Sequence, residues 1–428
     1  MKEIGALSRE ELLACQKDWQ EQYARYAARG LKLDMSRGKP CPEQLDLTAS
    51  MLDSVSVSAG CTTHDGLDVR NYGMLEGIPE ARRMFSDMLG VPAENVLIGG
   101  NSSLNLMYDY LAAAYIKGIM GHPAWCRQGQ VKFLCPAPGY DRHFAITEFL
   151  GIEMVTVEMT DTGPDMDAVE RLVRDPAVKG IWCVPMYANP TGVTYSDETV
   201  RRLAALSPAA PDFRIMWDNA YCLHHLTDTP DTLLNLYEEA ERAGHPDLPI
   251  LFASTSKISF PGSGIAALAA SPANVADIRR RLTVQTIGYD KLNMLRHTRF
   301  FRDLNHLQQH MRRHAEILRP KFETVLRVLE EELGGSGIAC WSRPNGGYFI
   351  SVDLMDGCAA RTAELLKQAG VTITGAGATY PYGRDPHDSN LRLAPSYPPV
   401  EELQTAMELF CLCAKLSAAE RLLAGPEQ

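Results

Sequence analysis

Apolar positions along the chain follow two rhythms, and the change between them divides the molecule. Ser8 stands three residues before Glu11, ahead of a helical spacing of apolar side chains. This capping box predicts a first helix that ends near Gly30, where the chain passes into the loop LKLDMSRGKP. From about Arg70 to Leu268, helical patterns alternate with the short apolar runs NVLIGG, VKFLCP, GIWCVPM, FRIMWD, PILFAS and GIAALAA. Such alternation predicts a mainly parallel sheet covered by helices. Ligands gather at the carboxyl ends of strands in these sheets. Here those ends read GGNSS, PAPGY, PMYANPTG, DNAY and STSK.

After Leu292 the rhythm becomes a long helical region, RHTRFFRDLNHLQQHMRRHAEILRPKFETVLRVLEEELGG, read as a spine into a smaller lobe. GGYFISVD, VTITGAGATY and SNLRLAPS are the strand candidates there. The expected division is a large domain over residues 48–300 and a small α/β domain built from residues 1–47 and 301–428.

Composition narrows the function. The chain has 428 residues, enough for two or three domains, and 45% hydrophobic with 22% charged residues is ordinary for a globular protein. A formal net charge of −11 argues against a nucleic-acid partner. The first twenty residues carry acidic side chains and no apolar run, and no stretch reaches the length of a membrane span. A cytoplasmic protein without membrane contact is expected. Eleven cysteines without paired spacing fit reduced thiols, with Cys411 and Cys413 in an apolar stretch as core.

Candidate chemistry sits at the strand ends. Lys257 follows Ser254, Thr255 and Ser256 and precedes Pro261 and Gly262. Partial burial there favours the neutral amine that Schiff-base formation needs, although most strand-end lysines simply reach solvent. Asn189, Pro190, Thr191 and Gly192 are ordinary turn formers, or place the Asn189 amide as a donor to an anionic phenol oxygen. Asp218 suits either a helix N-cap or the partner of a protonated pyridine nitrogen, with Tyr221 in reach of a ring oxygen. Gly99, Gly100, Asn101, Ser102 and Ser103 open a helix, as an ordinary cap or as a phosphate site.

Joint presence and order decide among these readings. The phosphate loop, Tyr140, Asn-Pro-Thr-Gly, Asp-x-x-Tyr, Ser-x-Ser-Lys and a late Arg392 occur in the order found in class I aminotransferases of fold type I. With SRGKP, NYGMLEGIPEAR, TSKISFPGSG, TIGYDKLNMLRH and NLRLAPS, the chain resembles that family, and within it a bacterial aspartate aminotransferase-like branch. The resemblance covers nearly the whole chain. It implies the PLP-dependent transferase fold type I, an α/β architecture with a seven-stranded type of sheet in the larger domain, and pyridoxal 5′-phosphate (PLP) as cofactor.

The resemblance also implies roles. Lys257 would carry the cofactor as a Schiff base and shuttle a proton, with Asp218 at the pyridinium nitrogen and Asn189 and Tyr221 at the phenolic oxygen. Tyr140 would stack on the ring, and Ser102, Ser103, Ser254 and Ser256 would hold the phosphate. Tyr72 would reach the phosphate of a neighbouring subunit, which implies a homodimer with shared sites. Arg392 would grip the substrate α-carboxylate, with Gly38 and Asn189 beside it. One departure stands out: many relatives have a phosphate-binding arginine shortly after the lysine, and residues 261–265 contain none. Lys291 or Arg296 are the replacement candidates.

The expected reaction moves an amino group between an L-amino acid, aspartate, and a 2-oxo acid, 2-oxoglutarate. Arg37, Lys39, Arg296 and Arg299 are the candidates for a distal carboxylate. A PLP-dependent lyase or decarboxylase on the same fold is the alternative. A NAD-dependent dehydrogenase is more remote, because Gly262-Ser263-Gly264-Ile265-Ala266-Ala267 reads into a strand rather than a helix. A DNA-binding regulator finds no room before Met35, and no metal site is expected at Cys222, His224 and His225.

Overall fold

The computed structural model describes residues 3–425. Its centre is an eight-stranded sheet in the spatial order Val96–Ile98, Ala266–Ala270, Pro249–Ser254, Arg214–Asp218, Val178–Cys183, Lys132–Ala137, Glu153–Thr160 and Gly163–Pro164. The four pairings from Pro249–Ser254 to Glu153–Thr160 are parallel. Ala266–Ala270 runs antiparallel to both of its neighbours. Each anticipated apolar run of this region is a strand, buried along its length as a run flanked by helices must be. The eighth strand is the two-residue return Gly163–Pro164, a hairpin partner of Glu153–Thr160. Glu153–Thr160 was not among the anticipated runs, because its buried and exposed residues alternate near the sheet edge.

Alternate side chains of the inner strands feed two apolar clusters. Ile215, Trp217 and Leu251 face one side with the helix Pro79–Leu89 and Val200, Leu203 and Ala204 of Asp197–Ala204. Met216, Ile250 and Phe252 face the other, against Leu106 and Met107 of Ser103–Lys117, Phe144 of Asp141–Phe149 and Ile278 of Pro272–Gln285. This two-sided clamp brings the carboxyl ends of Val178–Cys183, Arg214–Asp218 and Pro249–Ser254 to one edge. Pairing of Ser254 with Ala266 and of Ala267 with Ile98 adds the segment after Ile98 to the same edge.

A third cluster joins Ile4 and Leu12 to Phe322, Val325, Ile350, Val352, Leu391, Leu393 and Phe410. Ala339–Trp341, Ile350–Leu354 and Asn390–Leu393 form its antiparallel sheet. The capping box at Ser8 and Glu11 is present, and its helix Arg9–Ala27 packs along Val400–Ala424. Two expectations need correction. The segment read wholly as a loop contains the strand Leu33–Asp34, paired in parallel with Val371–Thr372, and VTITGAGATY supplies only that two-residue strand. The long helical region is two helices, Lys291–Phe301 and Leu304–Leu333, because Arg302 turns to a φ of 62° and Asp303 caps the second by accepting from the His306 amide. Leu307 and Met311 of that helix enter the first cluster, and Leu318 and Phe322 enter the third.

Candidate active site

Asp218 ends its strand buried, and its two carboxylate oxygens have different lives. Oδ2 lies 3.0 Å from Nε2 of His143. A carboxylate only accepts, so that ring nitrogen carries the proton. His143 is fixed in turn: its ring stacks on Trp182 with centroids 4.2 Å apart, and Trp182 Nε1 donates to Thr147 Oγ1 at 2.9 Å. Oδ1 is buried without any hydrogen-bond partner among the described residues. Leaving such an acceptor unmade costs on the order of 1–3 kcal/mol, and more when charged, so this oxygen marks the place of an absent donor. Tyr140 approaches His143 edge-on at 4.9 Å, and burial, with the charges of Asp218 and Asp141, pushes its phenol up to about 12.

Lys257 follows in the turn after Ser254. Its Nζ lies 5.0 Å from the Tyr221 ring and 5.9 Å from the Tyr348 ring. Burial draws the ammonium below the ordinary lysine value; Asp218 opposes the shift and Arg392 adds to it. Tyr221 is buried, and its phenol is pushed well up by burial and by the nearby Tyr140 and Asp218. The backbone of this turn is held from behind. Tyr348 Oη donates to the Lys257 carbonyl at 3.4 Å, and His310 Nε2 donates to the Ile258 carbonyl at 2.9 Å. His297 Nδ1 donates to the Asn293 carbonyl, which leaves Nε2 to accept from Ser259 Oγ at 2.8 Å.

Hydroxyls and a helix start meet beside the lysine. Ser254 Oγ donates to Ser256 Oγ at 3.1 Å, and Ser256 Oγ donates to the Asn101 carbonyl at 3.1 Å. Ser102 caps the helix Ser103–Lys117 by accepting from the Leu104 amide. The two loops are sewn together by Gly99 N to Ala266 O and Ala266 N to Gly100 O. Anions favour such a helix start. Lys291, at the first turn of Lys291–Phe301, is buried with no ion-pair partner among the described residues.

The opposite wall is built on Arg392, from the strand Asn390–Leu393. Its Nη1 donates to Asp141 Oδ1 at 2.8 Å and to Asn189 Oδ1 at 3.1 Å, and Nη2 donates to Thr374 Oγ1 at 3.2 Å. The guanidinium lies 4.8 Å from the Phe349 ring centre. Gly38 supports that ring from behind, since a Cβ there would stand 2.5 Å from Phe349 Cζ. Asn189, buried in the turn before Pro190, is fixed by its acceptance from that arginine.

Lys257, Asp218, Tyr221, Tyr140, Asn189 and Arg392 therefore converge, with Ser102, Ser103, Ser254 and Ser256 grouped to one side. Tyr72 stands apart, 82% exposed, on a loop whose Gly73 carbonyl meets Gly288. Arg299 leaves the set of distal-carboxylate candidates: its guanidinium donates to the carbonyls of Ser54, Ala59, Gly60 and Thr62 and staples that loop. His143, Trp182, Tyr348, His310, Thr374 and Asp141 were not anticipated. A histidine on the buried face of DRHFAITEF was the available signal for His143, and nothing local marked the others.

The fold and the site define a class, the aminotransferases of fold type I. The chain belongs to the aspartate amino-transferase family, whose profile matches residues 7–426. It is 47% identical to a putative aminotransferase of Mycolicibacterium smegmatis, over 98% of each chain. It is 46% identical to an aspartate aminotransferase of Corynebacterium glutamicum, over 94% of each. The crystal structure of an aspartate transaminase from Corynebacterium glutamicum superposes with a TM-score of 0.95 at 45% identity, covering 98% of this chain and 99% of that one. The chain is an aminotransferase.

Proposed function

We propose that this enzyme moves the amino group of aspartate to 2-oxoglutarate with pyridoxal 5′-phosphate as its cofactor, and that it works in the cytoplasm. The observation that carries the reading is the lone buried oxygen of Asp218, beside a lysine whose ammonium is desolvated and across from a buried arginine. Bound PLP supplies a protonated ring that withdraws electrons from the substrate α-carbon. Asp218 Oδ1, left without a partner among the described residues, would accept the ring N–H, while His143 holds the other oxygen. Asn189 and Tyr221 would donate to the phenolic oxygen, Tyr140 would cover the ring, and the four serines with the helix start would hold the phosphate, with Lys291 as the offsetting cation. Lys257 would anchor the cofactor and move the proton at the α-carbon, a task suited to an amine whose neutral form burial favours. Arg392 takes the α-carboxylate.

Arg37 and Lys39, exposed on either side of Gly38, are the cations this wall offers a second carboxylate; Arg296 sits elsewhere, its carbonyl accepting from Ser54 Oγ. A homodimer would share the sites through Tyr72, whose side chain is 82% exposed in the single chain. Residues 48–300 act as the cofactor domain, and residues 1–47 with 301–428 as the domain carrying Arg392. Among the described residues no helix is long and apolar enough to cross a membrane. Steady-state rates across a panel of amino donors test the substrate assignment. Aspartate and glutamate should lead by at least about tenfold, the scale that one charged contact supports; equal rates with alanine or leucine would end it.

A further inference from the structure

Arg392 is already engaged by a carboxylate of its own chain. Asp141 is the first residue of the helix Asp141–Phe149 and directly follows Tyr140, so it belongs to the cofactor side of the cleft. Arg392 belongs to the opposite wall. Their ion pair at 2.8 Å therefore joins the two walls. The partners are unlike in one respect. The Arg392 side chain is 7% exposed, whereas that of Asp141 is 32% exposed.

We propose that Asp141 is a built-in stand-in for the substrate carboxylate: it occupies Arg392 while no substrate is present and yields the guanidinium to the incoming α-carboxylate. The proposal rests on the reading of Arg392 as the α-carboxylate group. A buried guanidinium with no counter-charge is expensive, and one exchangeable carboxylate avoids that state before substrate arrives and after product leaves. Of the groups on Arg392, Asp141 is the one able to yield. Asn189 is buried in its turn, and the Thr374 hydroxyl is committed to the Ser36 carbonyl at 2.7 Å. Asp141 has somewhere to go. The helix it starts has no side-chain cap at Tyr140, so a released carboxylate meets uncapped amides and the positive end of the helix as well as water. The exchange replaces one carboxylate by another on the same cation, so Asp141 sets how tightly every α-carboxylate is held.

The test uses the cofactor-loaded enzyme and two substitutions that keep a polar group at the helix start, Asp141→Asn and Asp141→Ser. The readouts are KM for aspartate and for 2-oxoglutarate, and the dissociation constant of maleate, a dicarboxylate that cannot react, by calorimetry. Both variants should lower both KM values and the maleate constant by about two- to fivefold, the scale of a partly exposed ion pair, with the gain in kcat/KM carried by KM. Constants that stay the same overturn the proposal. Constants that rise also overturn it, because Asp141 would then be an anchor that orients Arg392. Arg392→Ala separates the two levels of the reading: constants unchanged in that variant remove the α-carboxylate role itself, whereas a large rise there with inert Asp141 variants removes only the stand-in.

Discussion

Two buried aspartates flank one strand, Arg214–Asp218, and they differ in what is left over. Asp212, just before the strand, has both oxygens filled: Lys179 Nζ donates to Oδ1 at 2.8 Å, and Trp125 Nε1 and Gln128 Nε2 donate to Oδ2 at 3.0 and 2.9 Å. Burial works upward on its carboxyl, but the Lys179 and Gln128 bonds outweigh it and hold the group below the usual range. Asp218, at the strand's other end, has one oxygen on His143 and the other on nothing. Similar burial and the same strand give a closed structural site at one end and an open one at the other. The unfilled acceptor, more than burial or charge, is what distinguishes Asp218 from Asp212.

The sharpest way to break this comparison is to neutralise each carboxylate in turn. Asp218→Asn keeps an acceptor for His143 but removes the charge proposed to face the cofactor ring, and kcat/KM should fall by roughly 10²–10⁴-fold with little change in thermal midpoint. Near-normal turnover would place Asp218 with the structural groups. Asp212→Asn should do the reverse. It strands the buried Lys179 ammonium and should cost about 3–5 kcal/mol in urea unfolding, while turnover of the folded fraction stays within a few-fold. A stable Asp212→Asn protein would show that the closed site contributes nothing to holding the sheet.

A smaller effect concerns the histidines behind the lysine turn. Burial lowers His297 to about 4. Burial, helped by His310 and Arg313, lowers His314 to about 3. Unfolded histidines titrate near ~6.5, so as pH falls the unfolded chain takes up protons first. Stability from these groups is complete above that value and is lost as pH falls toward 4. Unfolding free energy measured between pH 7 and 5 should therefore decline, and less steeply in His314→Gln. Equal slopes would mean that His314 does not contribute.

The large sheet was legible because buried strands flanked by helices are unbroken apolar runs, and the candidates Lys257, Asp218, Asn189 and Ser102 were read at their carboxyl ends. Glu153–Thr160 escaped because a strand near the edge mixes Glu153, Thr156 and Glu158 with its apolar residues. The break at Arg302 and Asp303 escaped because no glycine or proline announces it. His143 and Thr374 gain their meaning only when distant segments meet, 75 residues apart for His143 and Asp218. Asp141 reads locally as an ordinary acidic residue at a helix start, and only the fold brings Arg392 to it, 251 residues later in the chain.

The central claim is that one amine, Nζ of Lys257, holds the cofactor. Reducing the PLP-loaded enzyme with borohydride and mapping its peptides by mass spectrometry tests this directly. A phosphopyridoxyl group on Lys257, absent from Lys257→Ala, is the expected result; the group on another lysine, or on none, would contradict it.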